Sequence, residues 1–213
     1  MAQLRESAGY RIAERALSMI ASLLAQQRAT LSQIDAFAFA SGPGAFTGLR
    51  VACALAQGLA YGTDRPVIPV GSLRALALAA CQRLQRPARV MAAIDARMGQ
   101  VYWAVYEGME RARLLAPPAL AGPQDLTGLV ARWQPQVIAG DALRAFEAAW
   151  PAGSDPIRLP QAQSGAAVIA QLACLDLVDG RALNARDAAP DYVRNQVALT
   201  VAQRANGPGS AAP

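Results

Sequence analysis

The chain has 213 residues, of which 54% are apolar and 16% charged, and its formal net charge is +5. Such a composition predicts a folded chain with a sizeable core, arranged as one large domain or two small ones. Histidine and lysine are both absent, which excludes Ser-His-Asp catalysis, histidine-liganded metals and Schiff-base chemistry. All the positive charge comes from scattered arginines, so it is weak evidence for direct nucleic-acid binding.

Three cysteines, Cys53, Cys81 and Cys174, are far apart and lie in apolar stretches. They match neither a metal-ligand spacing nor a disulfide framework, which predicts a reducing compartment and no metal site. No apolar run reaches transmembrane length without a charge, so we expect no membrane partner.

A glycine-rich stretch, Ser41-Gly42-Pro43-Gly44-Ala45-Phe46-Thr47-Gly48-Leu49-Arg50, joins a short apolar run to a long one. The short run, Ala36–Ala40, is typical of a buried strand, and the long run predicts a helix over Gly48–Tyr61. Thr47 is expected to cap this helix with its side chain. The sequence therefore predicts a strand, a glycine loop and a helix in succession.

The glycine loop is a candidate for an anion or nucleotide contact, because backbone N–H groups are exposed where a helix begins. Its glycine spacing is one residue too long for the dinucleotide-binding fingerprint. A Walker loop is excluded, because it needs a lysine and the chain has none. A purely structural turn remains the alternative. If an anion does bind, the contacting residues are expected to be Gly42, Gly44, Thr47 and Gly48.

Strands and helices alternate along the rest of the chain, which favours an α/β layer architecture. We expect an N-terminal lobe over 1–88, a C-terminal lobe over 89–200 and a disordered tail over 201–213. The expected helices are Ser7–Gln27, Leu73–Leu84, Gln124–Trp133, Asp141–Trp150 and Ser164–Val178, and the expected strands are Val67–Val70, Val90–Ile94, Gln100–Glu107, Arg113–Ala116, Gln136–Ala139 and Ile157–Leu159.

The predicted helices Ser7–Gln27 and Gly48–Tyr61 are apolar on nearly all faces. A helix that is apolar all round is buried on two sides, so this pair could present a surface to another subunit. The alternative is that alanine, which tolerates water, fills the outer faces.

Four stretches together resemble the TsaB (YeaZ) family of the actin-like ATPase (RNase H-like) superfamily. They are the glycine-rich stretch Ser41–Arg50, the strand and helix start Pro66–Leu73, the hairpin Met91–Trp103 and the C-terminal motif Pro190–Asn195. The resemblance covers most of the chain in the right order. It implies an α/β actin-like fold with two lobes. Members of this family usually open with strands that carry an Asp-Thr or Asp-Ser pair, and here we expect those opening strands to be missing.

The resemblance implies a cytoplasmic, non-catalytic subunit without a cofactor. TsaB proteins bind TsaD, which transfers a threonylcarbamoyl group to the adenosine beside the tRNA anticodon, and TsaE, an ATPase, joins them. Without TsaD they often form homodimers through the same helices. Contact with tRNA is expected to be indirect or weak. The expected partner-binding residues are Ile12, Arg15, Ala16, Met19, Ile20, Leu23, Val51, Leu55 and Leu59.

Two alternatives remain. The first is a hydrolase of the actin-like fold that is active by itself, for which Asp95 and Arg97 are the best acid–base pair. For these two residues a turn-capping Asp beside a solvated Arg is the favoured interpretation. The second is direct tRNA binding through the arginines Arg89, Arg97, Arg111 and Arg113.

Overall fold

The computed structural model describes residues 2–6, 12–153 and 155–194, without the side chains of Ile12 and Ala13. Ser7–Arg11 of the first predicted helix, Asn195 of the C-terminal motif and the predicted tail over 201–213 lie outside the described residues. In the described part, strands and helices alternate as expected, which confirms the α/β prediction.

The helices are α1 (Ile12–Gln26), α2 (Phe46–Thr63), α3 (Ser72–Leu84), α4 (Leu126–Trp133), α5 (Ala142–Ala145) and α6 (Ala166–Val178). The strands are β1 (Phe37–Gly42), β2 (Val67–Gly71), β3 (Arg89–Arg97), β4 (Gln100–Glu107), β5 (Arg113–Ala121), β6 (Val137–Ala139) and β7 (Ile157–Leu159).

The described strands form two sheets. The smaller is the parallel pair β1–β2, and the larger has the order β5-β4-β3-β6-β7. Within the larger sheet, β3, β4 and β5 are antiparallel, whereas β3, β6 and β7 are parallel. After α6 the chain returns to the smaller sheet, where Leu183 exchanges backbone hydrogen bonds of 2.9 Å with Val67.

Helix α3 lies between the two sheets and is the most deeply buried helix. Leu73 and Leu78 have no exposed surface, and they belong to a core shared with β2, β3 and α6. A second core covers the opposite face of the large sheet, where Trp103 and Ile138 pack with α4 and α5. Because both faces of β3 and β6 are covered, their central runs, Val90–Ile94 and Val137–Ala139, are apolar without alternation.

Several predicted boundaries were wrong, each for a local reason. Thr47 does not cap α2: the helix begins at Phe46, two residues earlier than predicted, with Ala45 at the capping position and no side-chain cap bond. Ser164, the predicted cap of α6, does not cap it either, because Gly165 occupies the capping position and the helix begins at Ala166. The predicted helix over Asp141–Trp150 is divided into the single turn α5 and a 3₁₀ turn at Glu147–Ala149.

Strand β5 is longer than predicted, because it runs through Pro117 and Pro118 to Ala121. The ladder with β4 is irregular at this point, between the pairs Val105–Ala116 and Trp103–Ala119. An edge strand tolerates proline, since the missing N–H would point away from the sheet. β5 is such an edge strand in the larger sheet.

Tyr106 titration is expected to lower stability at alkaline pH. Burial raises the pKa of Tyr106 to about 12, with the charge of Arg74 opposing the rise and that of Asp191 adding to it. The pKa of an unfolded tyrosine is about 10. The neutral phenol therefore stabilises the fold fully below about pH 10, and this stability is lost as the pH rises towards about 12.

The measurement is urea unfolding of the wild type and of Tyr106→Phe at pH 9 and pH 11. The chain has no lysine, so the thiols and the other tyrosines, which both proteins share, are the remaining groups that titrate in this range. The wild type should lose about 1.4 kcal/mol more of its unfolding free energy than the variant. An equal loss in both proteins would refute the assigned pKa.

Candidate partner-binding surface

Helix α1 lies on the outside of the protein with one half-buried apolar stripe. Ala16, Met19, Ile20 and Leu23 are half-buried, and no described side chain of α1 is fully buried. The spacing of these four residues repeats every three or four positions, which places them on one helical face. The fold itself therefore covers this stripe only in part.

Helix α2 buries one face against β1 and leaves the other open. Its fully buried residues are Leu49, Cys53, Ala56 and Ala60. Tyr61, which lies outside this buried face, is 85% exposed. The expectation that this helix is buried on two sides is met on one side only within the described residues, which leave the other side uncovered.

The two helices touch, and this contact brings most of the predicted partner-binding residues into one region. Val51, Leu55 and Leu59 of α2 are half-buried, like the stripe of α1. We call these residues together the α1–α2 surface: Ala16, Met19, Ile20, Leu23, Val51, Leu55 and Leu59. Leu17, which is 52% exposed, extends its apolar area.

Two of the predicted residues are not part of this region as described. Arg15 is exposed on the outer side of α1, where its guanidinium lies 2.6 Å from the Glu6 carboxylate. The side chain of Ile12 lies outside the described residues. The α1–α2 surface as described is therefore apolar, and a partner would have to cover it with apolar side chains of its own.

The glycine loop follows β1 and leads into α2, as predicted. Gly42 is buried with a φ of +129°, and a Cβ atom there would lie 2.5 Å from the Asp191 carbonyl oxygen. The Asp191 N–H donates a 2.7 Å hydrogen bond to the Ser41 carbonyl oxygen. The backbone at Asp191 thus lies directly against Gly42, at a distance that only glycine allows.

The other predicted anion contacts differ in their surroundings. The Cβ position of Gly44 lies 3.7 Å from the side chain of Leu49, whereas Thr47 is exposed and Gly48 is half-buried in the first turn of α2. An anion contact at these residues remains a prediction. The loop has a definite structural role, because it holds the C-terminal part of the chain.

The residues from Ala188 to Arg194, which we call the closing segment, connect several elements. At its start, the carbonyl oxygen of Ala188 accepts a 3.0 Å hydrogen bond from Gln57 of α2. Tyr192 accepts a 3.1 Å hydrogen bond from Arg50, and its ring centroid lies 5.7 Å from that of Phe46. This segment therefore closes over α2 and the glycine loop.

At its end the closing segment reaches the hairpin of the larger sheet. Arg194 donates a 2.7 Å hydrogen bond to the side-chain oxygen of Gln100, and its guanidinium carbon lies 5.8 Å from the ring centroid of Tyr102. The smaller sheet and the hairpin are thus joined by seven residues. A surface on α1 and α2 is held by these contacts in a fixed position relative to the second lobe.

The predicted acid–base pair, Asp95 and Arg97, forms a local turn. Asp95 accepts a 2.8 Å hydrogen bond from the Arg97 backbone N–H and lies 3.0 Å from the Arg97 guanidinium. Arg97 is 85% exposed. This arrangement is that of a turn-capping carboxylate with a solvated cation, and both groups are used in stabilising the hairpin turn.

The described residues contain neither a metal-ligand cluster nor a membrane-spanning helix. Across residues 2–6, 12–153 and 155–194, no group of three or more Cys, Asp or Glu side chains could hold a metal ion. The three cysteines are free. None of the helices in these ranges is long and apolar enough to cross a membrane.

Sequence reasoning missed the role of the closing segment. In the sequence its motif, Pro190–Asn195, supports only a family resemblance, although Tyr192 and Arg194 stand out in a polar stretch. Their contacts lie on residues about a hundred or more positions earlier. Local periodicity carries no information on such distant contacts. The presence of Tyr192 and Arg194 in a polar stretch is the only sequence signal that could have indicated them.

Comparison with known proteins first defines the class. The family model described as "TsaD: tRNA N6-adenosine threonylcarbamoyltransferase" matches residues 6–191. Two solved structures from Pseudomonas aeruginosa are similar: one of YeaZ, with a TM-score of 0.74, and one described as an uncharacterized protein with similarity to peptidase YeaZ, with a TM-score of 0.72. Both are 34% identical, the first over 88% of this chain and 86% of that one, the second over 85% and 83%. The protein thus has the expected actin-like ATPase-type fold.

Curated relatives then define the family within that class. The tRNA threonylcarbamoyladenosine biosynthesis protein TsaB of Escherichia coli is 35% identical over 202 residues, which is 87% of this chain and 81% of the relative. The TsaB of Haemophilus influenzae is 52% identical over 90 residues, 42% of this chain and 38% of the relative. The chain belongs to the TsaB (YeaZ) family.

Proposed function

We propose that the protein is a non-catalytic subunit in the formation of threonylcarbamoyladenosine in tRNA, and that it acts by binding a TsaD-type transferase. The observation that carries this proposal is the α1–α2 surface, whose apolar residues are only half covered by their own chain. The names of the TsaB relatives assign those proteins to the biosynthesis of this modified nucleoside. We propose that this protein acts in the cytoplasm.

The proposed mechanism is structural. Helices of the transferase cover the α1–α2 surface, and burial of this apolar area stabilises the complex. The closing segment fixes the surface relative to the larger sheet, so that the transferase meets a rigid face. TsaE is proposed to join at the edge of this assembly. When the transferase is absent, a second copy of the chain covers the same surface.

Direct tRNA binding by the four arginines considered above has little support from their surroundings. Arg89 and Arg113 lie within 3.3 Å and 2.6 Å of the Glu107 carboxylate. Arg111 lies 2.6 Å from Asp179, and Arg97 is paired with Asp95. Because each of the four has a carboxylate partner, contact with tRNA is proposed to occur mainly through the transferase.

The experiment is reconstitution of the complex from purified subunits. The protein is mixed with a TsaD-type subunit from the same cell and analysed by size-exclusion chromatography with light scattering. We expect one peak with the mass of a mixed assembly, and a self-associated species when the protein is run alone. Separate elution of the two subunits at micromolar concentration would contradict the proposal.

An intrinsic hydrolase is the second candidate function, since one similar structure is described by its likeness to a peptidase. It would have to use Asp95, the best acid in the hairpin. The test is turnover of ATP or of a peptide by the purified chain alone. Turnover that disappears in Asp95→Ala and persists in Asp155→Ala, an exposed carboxylate elsewhere, would favour the hydrolase over the non-catalytic subunit.

A further inference from the structure

One end of the larger sheet gathers the amino ends of its three parallel strands, β3, β6 and β7. Helix α3 leads into β3 and helix α4 leads into β6, so both helices also end here, on opposite faces of the sheet. We call this end the basal edge and define it by residues 82–90, 130–137 and 155–157. It belongs to the larger sheet, whereas α2 of the α1–α2 surface packs on the smaller one.

Three exposed arginines at the basal edge have no carboxylate partner. Arg83 lies in the last turn of α3, Arg132 lies in the last turn of α4, and Arg86 follows α3. None of them forms a hydrogen bond or an ion pair with any residue in the described ranges. The guanidinium carbon of Arg132 lies 5.5 Å from the ring centroid of Trp133. These arginines therefore differ from the four considered above for tRNA binding, each of which has a carboxylate partner.

A depression of about 500 Å³ connects the ends of α3 and α4 at the basal edge. Arg86 lines it from α3, Gln134 and Gln136 line it from the end of α4, and Asp155 lines it beside β7. The side-chain oxygen of Gln136 accepts a 2.9 Å hydrogen bond from the backbone N–H of Arg89, which leaves its amide hydrogens as donors. Arginine and glutamine side chains are typical of contacts with nucleic-acid phosphates.

The basal edge carries a net positive charge. Its three unpaired arginines are opposed by one carboxylate, that of Asp155. Arg89 lies 3.3 Å from Glu107, so this pair is neutral. The carboxyl ends of α3 and α4 contribute about half a negative charge each, which lowers the positive potential without cancelling it. The helix dipoles favour arginine at these positions, but the guanidinium hydrogens remain exposed.

We propose that the basal edge binds the phosphate backbone of RNA. The three arginines would donate charge-assisted hydrogen bonds to phosphate oxygens, and the two glutamines would contact phosphate or ribose. Such contacts do not read the base sequence. The charges favour a polyanion, and the choice of RNA rests on the proposed function, because the TsaB relatives are named for a tRNA modification. The main contact with tRNA remains that of the transferase, and the basal edge adds a weak direct one.

The test is fluorescence anisotropy of labelled, unmodified tRNA titrated with the purified chain, without the transferase. At about 50 mM salt we expect saturable binding with a Kd of about 10–100 µM, because few phosphates are contacted. Affinity should fall as salt is added. If three phosphates are neutralised, the slope of log K against log salt concentration is expected to be about −2 to −3.

Single substitutions then locate the contact. Arg86→Gln and Arg132→Gln should each weaken tRNA binding about fivefold and make the salt slope shallower by about 1. Arg144→Gln is the matched control. Arg144 is also exposed, but it lies in α5, which follows the carboxyl end of β6 at the opposite end of the sheet. This variant should bind like the wild type. Thermal unfolding checks that all the variants are folded.

Hydrogen exchange gives a second readout that does not depend on a substitution. Addition of tRNA should slow exchange in residues 82–90 and 130–137 and leave α1 and α2 unchanged. Leu55→Arg, which alters the α1–α2 surface, should bind tRNA like the wild type. Failure of the proposed transferase contact would therefore leave this result intact, so the two proposals can fail separately.

Three results would overturn the proposal. The first is the absence of saturable tRNA binding at about 50 mM salt up to about 200 µM protein. The second is a variant with Arg83, Arg86 and Arg132 all replaced by glutamine that binds with the affinity and salt slope of Arg144→Gln. The third is competition by polyglutamate as strong as that by unlabelled tRNA, which would indicate an acidic protein segment instead of RNA.

Discussion

Ile20→Arg and Leu55→Arg are each expected to abolish the complex with the transferase. Both side chains are half-buried in the α1–α2 surface, so an arginine can turn towards water in the free chain. In the complex the same arginine would be buried without a partner, which costs about 3 kcal/mol or more and lowers affinity more than about 100-fold. Affinity is measured by calorimetric titration with the purified transferase.

A matched control comes from the same helix. Ala25 is exposed on the opposite side of α1 from the half-buried stripe, so Ala25→Arg introduces the same charge and should leave affinity unchanged. Circular dichroism of the three variants should match the wild type. If Ile20→Arg and Leu55→Arg bind as tightly as Ala25→Arg, the α1–α2 surface is not the contact.

Gly42→Ala is expected to destabilise the fold by about 3 kcal/mol. Its φ of +129° is strained for any residue with a Cβ, and the Cβ would lie 2.5 Å from the Asp191 carbonyl oxygen. Positive-φ strain alone costs about 1–3 kcal/mol, and the displacement of the closing segment adds to it. Urea unfolding measures the free energy, and hydrogen exchange at Asp191 reports whether the bond to Ser41 is lost.

Gly48→Ala is the control for this substitution. Gly48 lies in the first turn of α2, and an added Cβ would meet no atom within 4 Å. Alanine is the better helix former, so this variant should be as stable as the wild type or more stable by up to about 1 kcal/mol. Equal stability of Gly42→Ala and the wild type would show that the closing segment does not depend on the close approach at Gly42.

Features defined by local pattern could be predicted from the sequence. The hairpin of β3 and β4, the step from β1 through the glycine loop to α2, and the helix α3 follow from periodicity and turn residues, and all three are present. The error at Thr47 was also local. A threonine beside a predicted helix can cap it only if the helix begins at the following residue, and here the chain turns helical at Phe46.

Features that depend on distant contacts could not be predicted in this way. Pro117 and Pro118 are unfavourable in a strand, so the sequence predicts a strand that ends at Ala116. They are tolerated in β5 because this strand lies at the edge of the larger sheet. The closing segment contacts residues far from it in the sequence, such as Ser41, Arg50 and Gln100, so its role appears only once the fold is known. The α1–α2 surface could be predicted in part. Its two helices follow from the sequence, whereas the contact between them is seen only in the folded structure.

The most direct test of the proposed function measures threonylcarbamoyladenosine in tRNA with purified components. The transferase, TsaE, an activated threonylcarbamoyl donor and unmodified tRNA are incubated with and without this protein, and the modified nucleoside is quantified by mass spectrometry. We predict turnover with all components, almost none when this protein is omitted or replaced by Leu55→Arg, and none when it replaces the transferase. Full turnover without the protein, or turnover by the protein without the transferase, would contradict its role as a non-catalytic subunit.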